Sequence, residues 1–438
     1  MTTTDVEAEL REALAVAEGQ YVASNPRSER RYRQAGTVLP GGNTRTSLHY
    51  SPFPATFVAG EGQFLTDLDG HRYVDLLGEY SAGLYGHSNP VILSAVRKAL
   101  GEGLSFGGPN HYEVELAQEI TRRFPSVELL RFTNSGTEAN LFAIGTARAV
   151  TGRSKVLVFG EGYHGGVLSF RGEAPLNAPY PYVVCEYNDV AGTLAAIRRH
   201  RDDLAAVILE PMLGGGGAVP ATAEFVHAIR EATTRHDVVL IIDEVMTSRL
   251  APGGLQERLG VVPDLTTLGK YLGAGFGFGA FGGSRSLMER FDPSVPGHLS
   301  HPGTFNNNTV TMAAGLAGLR DILTPEAVRE SNVRGDRLRD RLNSLFAELD
   351  VAVQATGVGS ILGLHFQRSP IVSGRDIDPA PEKRALLHLE LMLRGFYLAR
   401  RGYMAIPLPV TGADLDSFVD AVRDVVVTHR RVLRQDPS

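Results

Sequence analysis

The chain has 438 residues and a formal net charge of −6 at pH 7, long enough to bury a large core split between one large domain and a smaller one. Hydrophobic residues at 43% and charged residues at 21% describe an ordinary globular protein, and the scattered charge leaves no basic stripe for nucleic acid. A single cysteine, Cys185, excludes an intrachain disulfide and a cysteine-built zinc cluster, so no metal site is expected.

The stretch Met1–Glu9 is acidic and lacks the apolar core of a secretory signal. No apolar run approaches the roughly 20 residues that span a bilayer. A soluble, cytoplasmic protein is therefore expected, with no membrane or nucleic-acid partner. Residues 5–35 carry charge at helical spacing and predict a helical arm that ends near Pro40-Gly41-Gly42. Phe64 to Asp75 alternates in polarity around Asp69-Gly70, a hairpin signal. Farther on, the spacing of Leu116, Ile120 and Phe124 predicts a helix over 113–124, then a strand over 130–133 and a helix over 137–150.

The apolar runs 155–159, 205–209 and 238–242 read as buried strands, separated by helices over 190–200 and 223–235. Such alternation implies a mostly parallel sheet covered on both faces, with ligands outside the carboxyl ends of its strands. Cys185 closes the apolar Tyr182-Val183-Val184 and is expected to be a buried structural thiol. Past a helical stretch near 309–323 come a helix over 338–349, a strand over 361–366, a polar loop over 368–381 and a last helix over 415–427. The fold class is α/β. Residues 1–75 form an arm and hairpin belonging to the small domain, 76–325 the large domain, and 326–438 the rest of a smaller α+β domain.

Four motifs sit at the expected strand ends. Thr133-Asn134-Ser135-Gly136-Thr137-Glu138 opens a helix. It offers free N–H groups and hydroxyls that suit a phosphate dianion, or it is a plain helix cap. Tyr163, in Gly160-Glu161-Gly162-Tyr163-His164-Gly165-Gly166, can lie flat against a planar ring or serve as a loop anchor; His164 reads as structural support. Asp243 ends a strand, and a buried carboxylate there needs a partner such as a protonated ring nitrogen. Lys270, in Leu268-Gly269-Lys270, has the amine that can hold an aldehyde cofactor covalently and then shuttle a proton. The glycines of Gly273-Ala274-Gly275-Phe276-Gly277 open no first βαβ unit and have no suitable acid downstream, so a dinucleotide site is rejected.

In this order and spacing the motifs resemble the class III aminotransferases, fold type I enzymes that use pyridoxal 5′-phosphate, from about Pro40 to Leu408. The resemblance implies a large domain with a mostly parallel, seven-stranded type of sheet. It implies that Lys270 carries the cofactor, Asp243 holds its ring nitrogen and Tyr163 stacks on its ring. Ser135, Gly136 and Thr137 would hold the phosphate, with Val245 and Met246 beside it, and Thr304 would reach the phosphate of the other subunit of an obligate homodimer. Pro40-Gly41-Gly42 and Asp243-Glu244-Val245-Met246 are similar to the branch containing glutamate-1-semialdehyde aminomutase.

The segments Leu39 to Arg45, Glu79 to Gly83 and Gly303 to Asn308 depart from the aminomutase pattern, and Arg131 to Asn134 and Met246 to Pro252 go with them. They are similar to bacterial β-phenylalanine (aromatic β-amino acid) aminotransferases. That similarity implies Arg45 as the ligand of a β-amino acid carboxylate, Tyr80 beside it, and Arg401 as a movable cation for the second carboxylate of a keto acid. Arginine suits both tasks because its planar fork pairs bidentately with carboxylates. The bland reading makes Arg400 and Arg401 an exposed charged pair. Leu213, where relatives often carry a polar residue, and the four glycines after it could alter side-chain preference. The expected reaction moves an amino group from an aromatic or apolar β-amino acid to a keto acid such as 2-oxoglutarate. The alternatives are an aminomutase, an ω-amine transaminase and a binding protein without catalysis.

Overall fold

The computed structural model describes residues 3–434. Its centre is a seven-stranded sheet. Across it the strands run Leu129–Thr133, Gly279–Gly283, Leu265–Gly269, Val239–Asp243, Leu204–Leu209, Lys155–Phe159 and Tyr182–Cys185. Gly279–Gly283 runs antiparallel to both its neighbours, and the other pairings are parallel. The mostly parallel α/β sheet expected from the sequence is present.

Alternation along the central strands sends side chains to two separate cores. Val156, Val158, Ala206, Ile208 and Ile241 pack under the helix Gly136–Thr151 through Ala139, Ala143 and Ala147. Leu157, Phe159, Val207, Leu209 and Ile242 face the helices Val190–His200 and Ala223–Arg235 through Ile197, Phe225 and Ile229. Burial on both faces is why these strands read as unbroken apolar runs.

A further core joins the two ends of the chain. The helix Thr3–Ser24 presents Val6, Leu10, Ala17 and Tyr21, spaced to share one face. They enter one cluster with Tyr73 and Leu76 and with Leu338, Leu342, Leu386, Phe418 and Val422. The expected arm is two helices, because Asn25-Pro26 ends the first and starts Pro26–Ala35. Asp69, in the expected hairpin turn, caps that second helix by accepting from the N–H groups of Arg27 (2.7 Å) and Ser28 (2.9 Å).

Several expectations are corrected. The helix read from 338 begins at Pro325, behind the cap Thr324. Its first turns bury Ser331, Asn332 and Gly335, which carry no apolar signal. The stretch near 309–323 ends in a π-helical turn, Gly318–Ile322. The last expected helix spans Gly412–Thr428 and is followed by Arg430–Leu433. Strands Phe57–Glu61 and Gly279–Gly283 have no counterpart in the sequence reading. Cys185 is half-buried, since its strand lies at the edge of the sheet. No described helix is long and apolar enough to cross a membrane.

The cores meet through a buried strut. Arg249, 2% exposed, donates from Nε to Ser360 Oγ (3.1 Å) and from Nη2 to the carbonyl of Ile406. Asn332 accepts from the N–H of Ser360 and donates to the carbonyl of Arg249. The loop after Asp243 is thereby fixed to the segment that follows the strand Tyr403–Ala405.

Candidate active site

Asp243 is the last residue of its strand and 4% exposed. One carboxylate oxygen accepts from Asn140 Nδ2 and from His164 Nδ1, both at 2.8 Å, and the other from the N–H of Val245 at 3.0 Å. Because a carboxylate only accepts, Nδ1 of His164 carries the proton. Burial works to lower the His164 pKa, but the hydrogen bond and charge of Asp243 outweigh it and raise it above the ordinary value. Asn140 is the keystone that sequence reading did not assign. Its amide also donates to the His164 carbonyl (2.9 Å), and its oxygen accepts from Thr267 Oγ1 (2.6 Å). Thr267 lies beside Asp243 in the parallel register. One asparagine therefore locks together the helix after the phosphate-type turn, the Tyr163 loop and two strand ends.

Lys270 follows three residues after Thr267, with its backbone in the left-handed region at φ 55°. Non-glycine residues occupy that region at a cost, so its appearance here marks a conformation the surroundings impose. Lys270 is half-buried. Burial draws its amine down to about 8, against the pull of Asp243 and Glu210, and the charge of Arg401 adds to the lowering. Glu210, 6% exposed, accepts from the N–H groups of Tyr163 (2.8 Å) and Gly214 (3.0 Å). Burial pushes its carboxyl up to about 6, opposed by His164.

The turn at Ser135 performs one of the two tasks read from the sequence, the helix cap, and leaves donors over for the other. Ser135 Oγ caps the helix by accepting from Glu138 N at 3.2 Å. Its hydroxyl proton, the Thr137 hydroxyl and the first-turn N–H groups of Gly136 and Thr137 lie outside that cap bond. The site is shaped by missing side chains. A Cβ on Gly136 would come within 2.8 Å of Val245, and one on Gly165 within 2.2 Å of Thr137 Oγ1. A Cβ on Gly279 would lie 2.1 Å from the Ser135 carbonyl and 2.3 Å from Thr133 Oγ1. Gly279→Ala is thus expected to push the turn out of shape and weaken retention of a phosphate-bearing cofactor at least tenfold, read by equilibrium titration of the cofactor-free protein. Unchanged affinity would show that the turn does not hold the phosphate.

Tyr163 is 45% exposed. It sits on a loop pinned by Phe170 N to the Gly162 carbonyl (2.8 Å) and His164 N to the Leu168 carbonyl (2.8 Å), which leaves its ring available for stacking. The donor set fits pyridoxal phosphate. Free N–H groups suit the dianion, and a buried carboxylate oxygen that accepts a single hydrogen bond suits a ring N–H. The amine of depressed pKa suits an aldehyde. Val245 lies between Gly136 and Gly269, and Met246 Sδ accepts from the Tyr403 hydroxyl at 3.3 Å.

The substrate residues inferred from resemblance also come together. Tyr80 stacks on Tyr403, with centroids 5.9 Å apart and an interplanar angle of 19°. Arg401 lies 5.2 Å from the Tyr80 centroid and Arg45 lies 5.9 Å from it. Glu79, Tyr80 and Ser81 are consecutive residues with φ of 47°, 52° and 77°. The Tyr80 hydroxyl donates to the Ser47 carbonyl (2.7 Å), and Arg45 pairs with Glu79 (2.5 Å). Arg401 has no carboxylate partner among the described residues, and its Nε is buried without a hydrogen bond. Its neighbour Arg400 turns away to the Ser51 carbonyl (2.8 Å), so the two do not form an exposed pair. Thr304 is set apart: it lines a cavity of about 360 Å³ with Ser105 to Asn110, and none of Lys270, Asp243 and Tyr163 lines that cavity. Among the described residues no cluster of His, Cys, Asp or Glu could hold a metal.

The family model for aminotransferase class III matches residues 46–426. The chain is 46% identical over 424 residues to β-phenylalanine transaminase of Variovorax paradoxus, covering 96% of this chain and 98% of that one. It is 38% identical over 368 residues to glutamate-1-semialdehyde 2,1-aminomutase of Rhodopirellula baltica, covering 80% and 83%. The crystal structure of a β-phenylalanine aminotransferase from Variovorax paradoxus superposes with a TM-score of 0.96 at 46% identity over 98% of this chain and all of that chain.

Proposed function

From the premise that this chain belongs to the pyridoxal-phosphate-dependent class III aminotransferases, we propose that it takes the amino group from a β-amino acid with an aromatic or apolar side chain. The amino group then passes to a keto acid such as 2-oxoglutarate, with the two substrates bound in turn. The observation that carries this reading is the placement of two guanidinium groups about Tyr80. The relative with 46% identity that is named for β-phenylalanine supports the same substrate class.

When bound, the cofactor supplies an electron sink for the substrate carbon. The protein's part is arranged around it. Asp243, fixed by Asn140 and His164, holds a proton on the ring nitrogen. The N–H groups of Gly136 and Thr137, with the Ser135 and Thr137 hydroxyls, hold the phosphate. Tyr163 covers the ring, Met246 lines the site, and Val245 spaces the turn from Gly269. Lys270, whose amine burial draws down to about 8, gives and takes the proton on the reacting carbon.

Arg45 orients the donor by its carboxylate, leaving Glu79 as it does so. Arg45→Gln is expected to raise KM for an aromatic β-amino acid about 10- to 100-fold, the loss of one charge-assisted pair. An aromatic amine without a carboxylate should be unaffected, and equal effects on both would remove Arg45 from the substrate site. Arg401 takes the second carboxylate of the keto acid. Thr304, which stands away from its own subunit's cluster, supports a homodimer in which it reaches the partner's phosphate. The joined core of residues 6–76 and 338–433 supports the division into a small domain built from both chain ends and a large domain between them. A cytoplasmic setting follows from the reducing conditions that suit a half-buried free thiol.

The deciding experiment is a half-reaction screen of α-, β- and ω-amines, read by loss of the cofactor's long-wavelength absorbance and its return with 2-oxoglutarate. Conversion by β-amino acids is expected. Turnover without any keto acid would replace this reading with an intramolecular amino shift.

A further inference from the structure

The loop that carries Tyr163 also carries a cation that the chemistry above leaves unused. Arg171 follows directly on Phe170, whose carbonyl and N–H pin the base of the loop to Glu161 and Gly162. Arg171 Nε lies 3.5 Å from Glu161 Oε2, and its side chain is 40% exposed. That is its one ion pair among the described residues, so both Nη groups of the fork are left for another acceptor.

Its place is fixed by the glycines after Leu213. A Cβ on Gly215 would come within 3.4 Å of Arg171 Nη1 and equally within 3.4 Å of Tyr163 Cβ. The stacking tyrosine and the guanidinium thus stand side by side over one glycine floor. Arg401 lies 5.2 Å from the centre of the Tyr403 ring, whose hydroxyl donates to Met246 Sδ (3.3 Å), and that sulfur packs against Gly214, so Arg401 borders the same glycine run. Arg171 and Arg401 both border this run, and the acid beside Arg171 is Glu161. That acid is held in the left-handed region at φ 62°, with its Cβ against Gly216 and Gly374. Like charges bordering one glycine run favour an anion between them, and Arg forks favour a carboxylate.

We propose that Arg171 is a specificity residue that joins Arg401 in clamping the distal carboxylate of a dicarboxylic keto acid above Gly214–Gly216, with Glu161 as the internal competitor that holds Arg171 when an uncharged side chain fills the pocket. The proposal rests on the aminotransfer reading and narrows its acceptor to dicarboxylic acids. A side chain at Gly215 would fill the gap between ring and cation, while those at Gly214 and Gly216 would run into Met246 and Glu161.

The test uses enzyme loaded directly with pyridoxamine phosphate, so it needs no amino donor and does not depend on the donor's identity. For Arg171→Gln, KM for 2-oxoglutarate should rise about tenfold, as loss of a charge-assisted contact requires. KM for pyruvate and kcat for both acids should stay unchanged, and Arg171→Lys should recover part of the loss. Glu161→Gln should act in the opposite sense, lowering KM for 2-oxoglutarate by freeing the fork. Calorimetry with glutarate, which cannot react, should show the same order of affinities, and butyrate should show none of it. Equal changes for 2-oxoglutarate and pyruvate, no change for either, or a Glu161→Gln effect of the same sign as Arg171→Gln would overturn the proposal. Failure of the unaltered enzyme to convert β-amino acids would instead count against the proposed donor and leave this result standing.

Discussion

Lys270→Ala should leave a folded protein that is colourless in the long-wavelength region after incubation with cofactor and slower than the parent by at least about 10³- to 10⁴-fold, the loss expected for an acid–base group. The argument rests on position. Lys270 is held in a left-handed backbone conformation at the end of a buried strand, with an amine drawn down to about 8. An alanine there suffers the same backbone cost and no new clash, so loss of function would not reflect unfolding. A stability signature goes with it. With a lowered folded-state pKa, the unfolded chain binds the proton more readily between about 8 and the ordinary lysine value of roughly 10.4. The cofactor-free parent should gain stability as pH rises through that window, with the full cost present below it. Lys270→Ala should lose that slope in denaturant titrations across the window. A coloured, active variant would refute the assignment.

Asp243→Asn should reduce the rate of the donor half-reaction about 10²- to 10⁴-fold while keeping the side-chain shape. The amide cannot reproduce the present pattern. Oxygens that accept from Asn140, His164 and Val245 would be replaced by one acceptor and one donor, leaving at least one buried N–H unmatched. That mismatch costs on the order of 1–3 kcal/mol and should lower the thermal midpoint. The more telling readout is His164, whose raised pKa depends on the Asp243 charge against the opposing effect of burial. In the variant the imidazole should titrate at lower pH, followed by its NMR ring signals. An unshifted His164 with normal turnover would show that Asp243 is structural only.

Much of this architecture was legible in the sequence because the physics that forms it is local. Leu204–Leu209 and Val239–Asp243 are apolar along their whole length since both faces are buried, and their ends could be read as ligand positions. Gly279–Gly283 was not legible. Glycine is a poor strand former, and this strand exists because its neighbours' backbones approach too closely for a side chain. The first turns of Pro325–Glu348 were missed for a related reason: Gly335 faces the core, where a Cβ would lie 2.0 Å from the Gly359 carbonyl. Cys185 was misjudged because an apolar tetrapeptide does not tell an edge strand from a central one.

At the site, Lys270, Asp243 and Tyr163 stood out through residue type and spacing. Asn140 and Thr267 did not, since one sits inside a helix and the other between Thr266 and Leu268; Glu210, at the end of an apolar strand, offered a position but no role. The left-handed run Glu79-Tyr80-Ser81 leaves no trace in a sequence without glycine at those positions. Its geometry comes from the Tyr403 stack and the Ser47 carbonyl, both distant in the chain.

The core shared by the two chain ends has a bearing on how the protein is made. Val6, Leu10, Tyr21 and Tyr73 pack with Leu338 and residues beyond it, which leave the ribosome only after the entire large sheet has been synthesised. At the usual speed of translation the gap is on the order of tens of seconds. Throughout it the first helix and hairpin have an apolar face with nothing to cover it, so a holding chaperone should favour the yield of this enzyme more than any change at its catalytic centre.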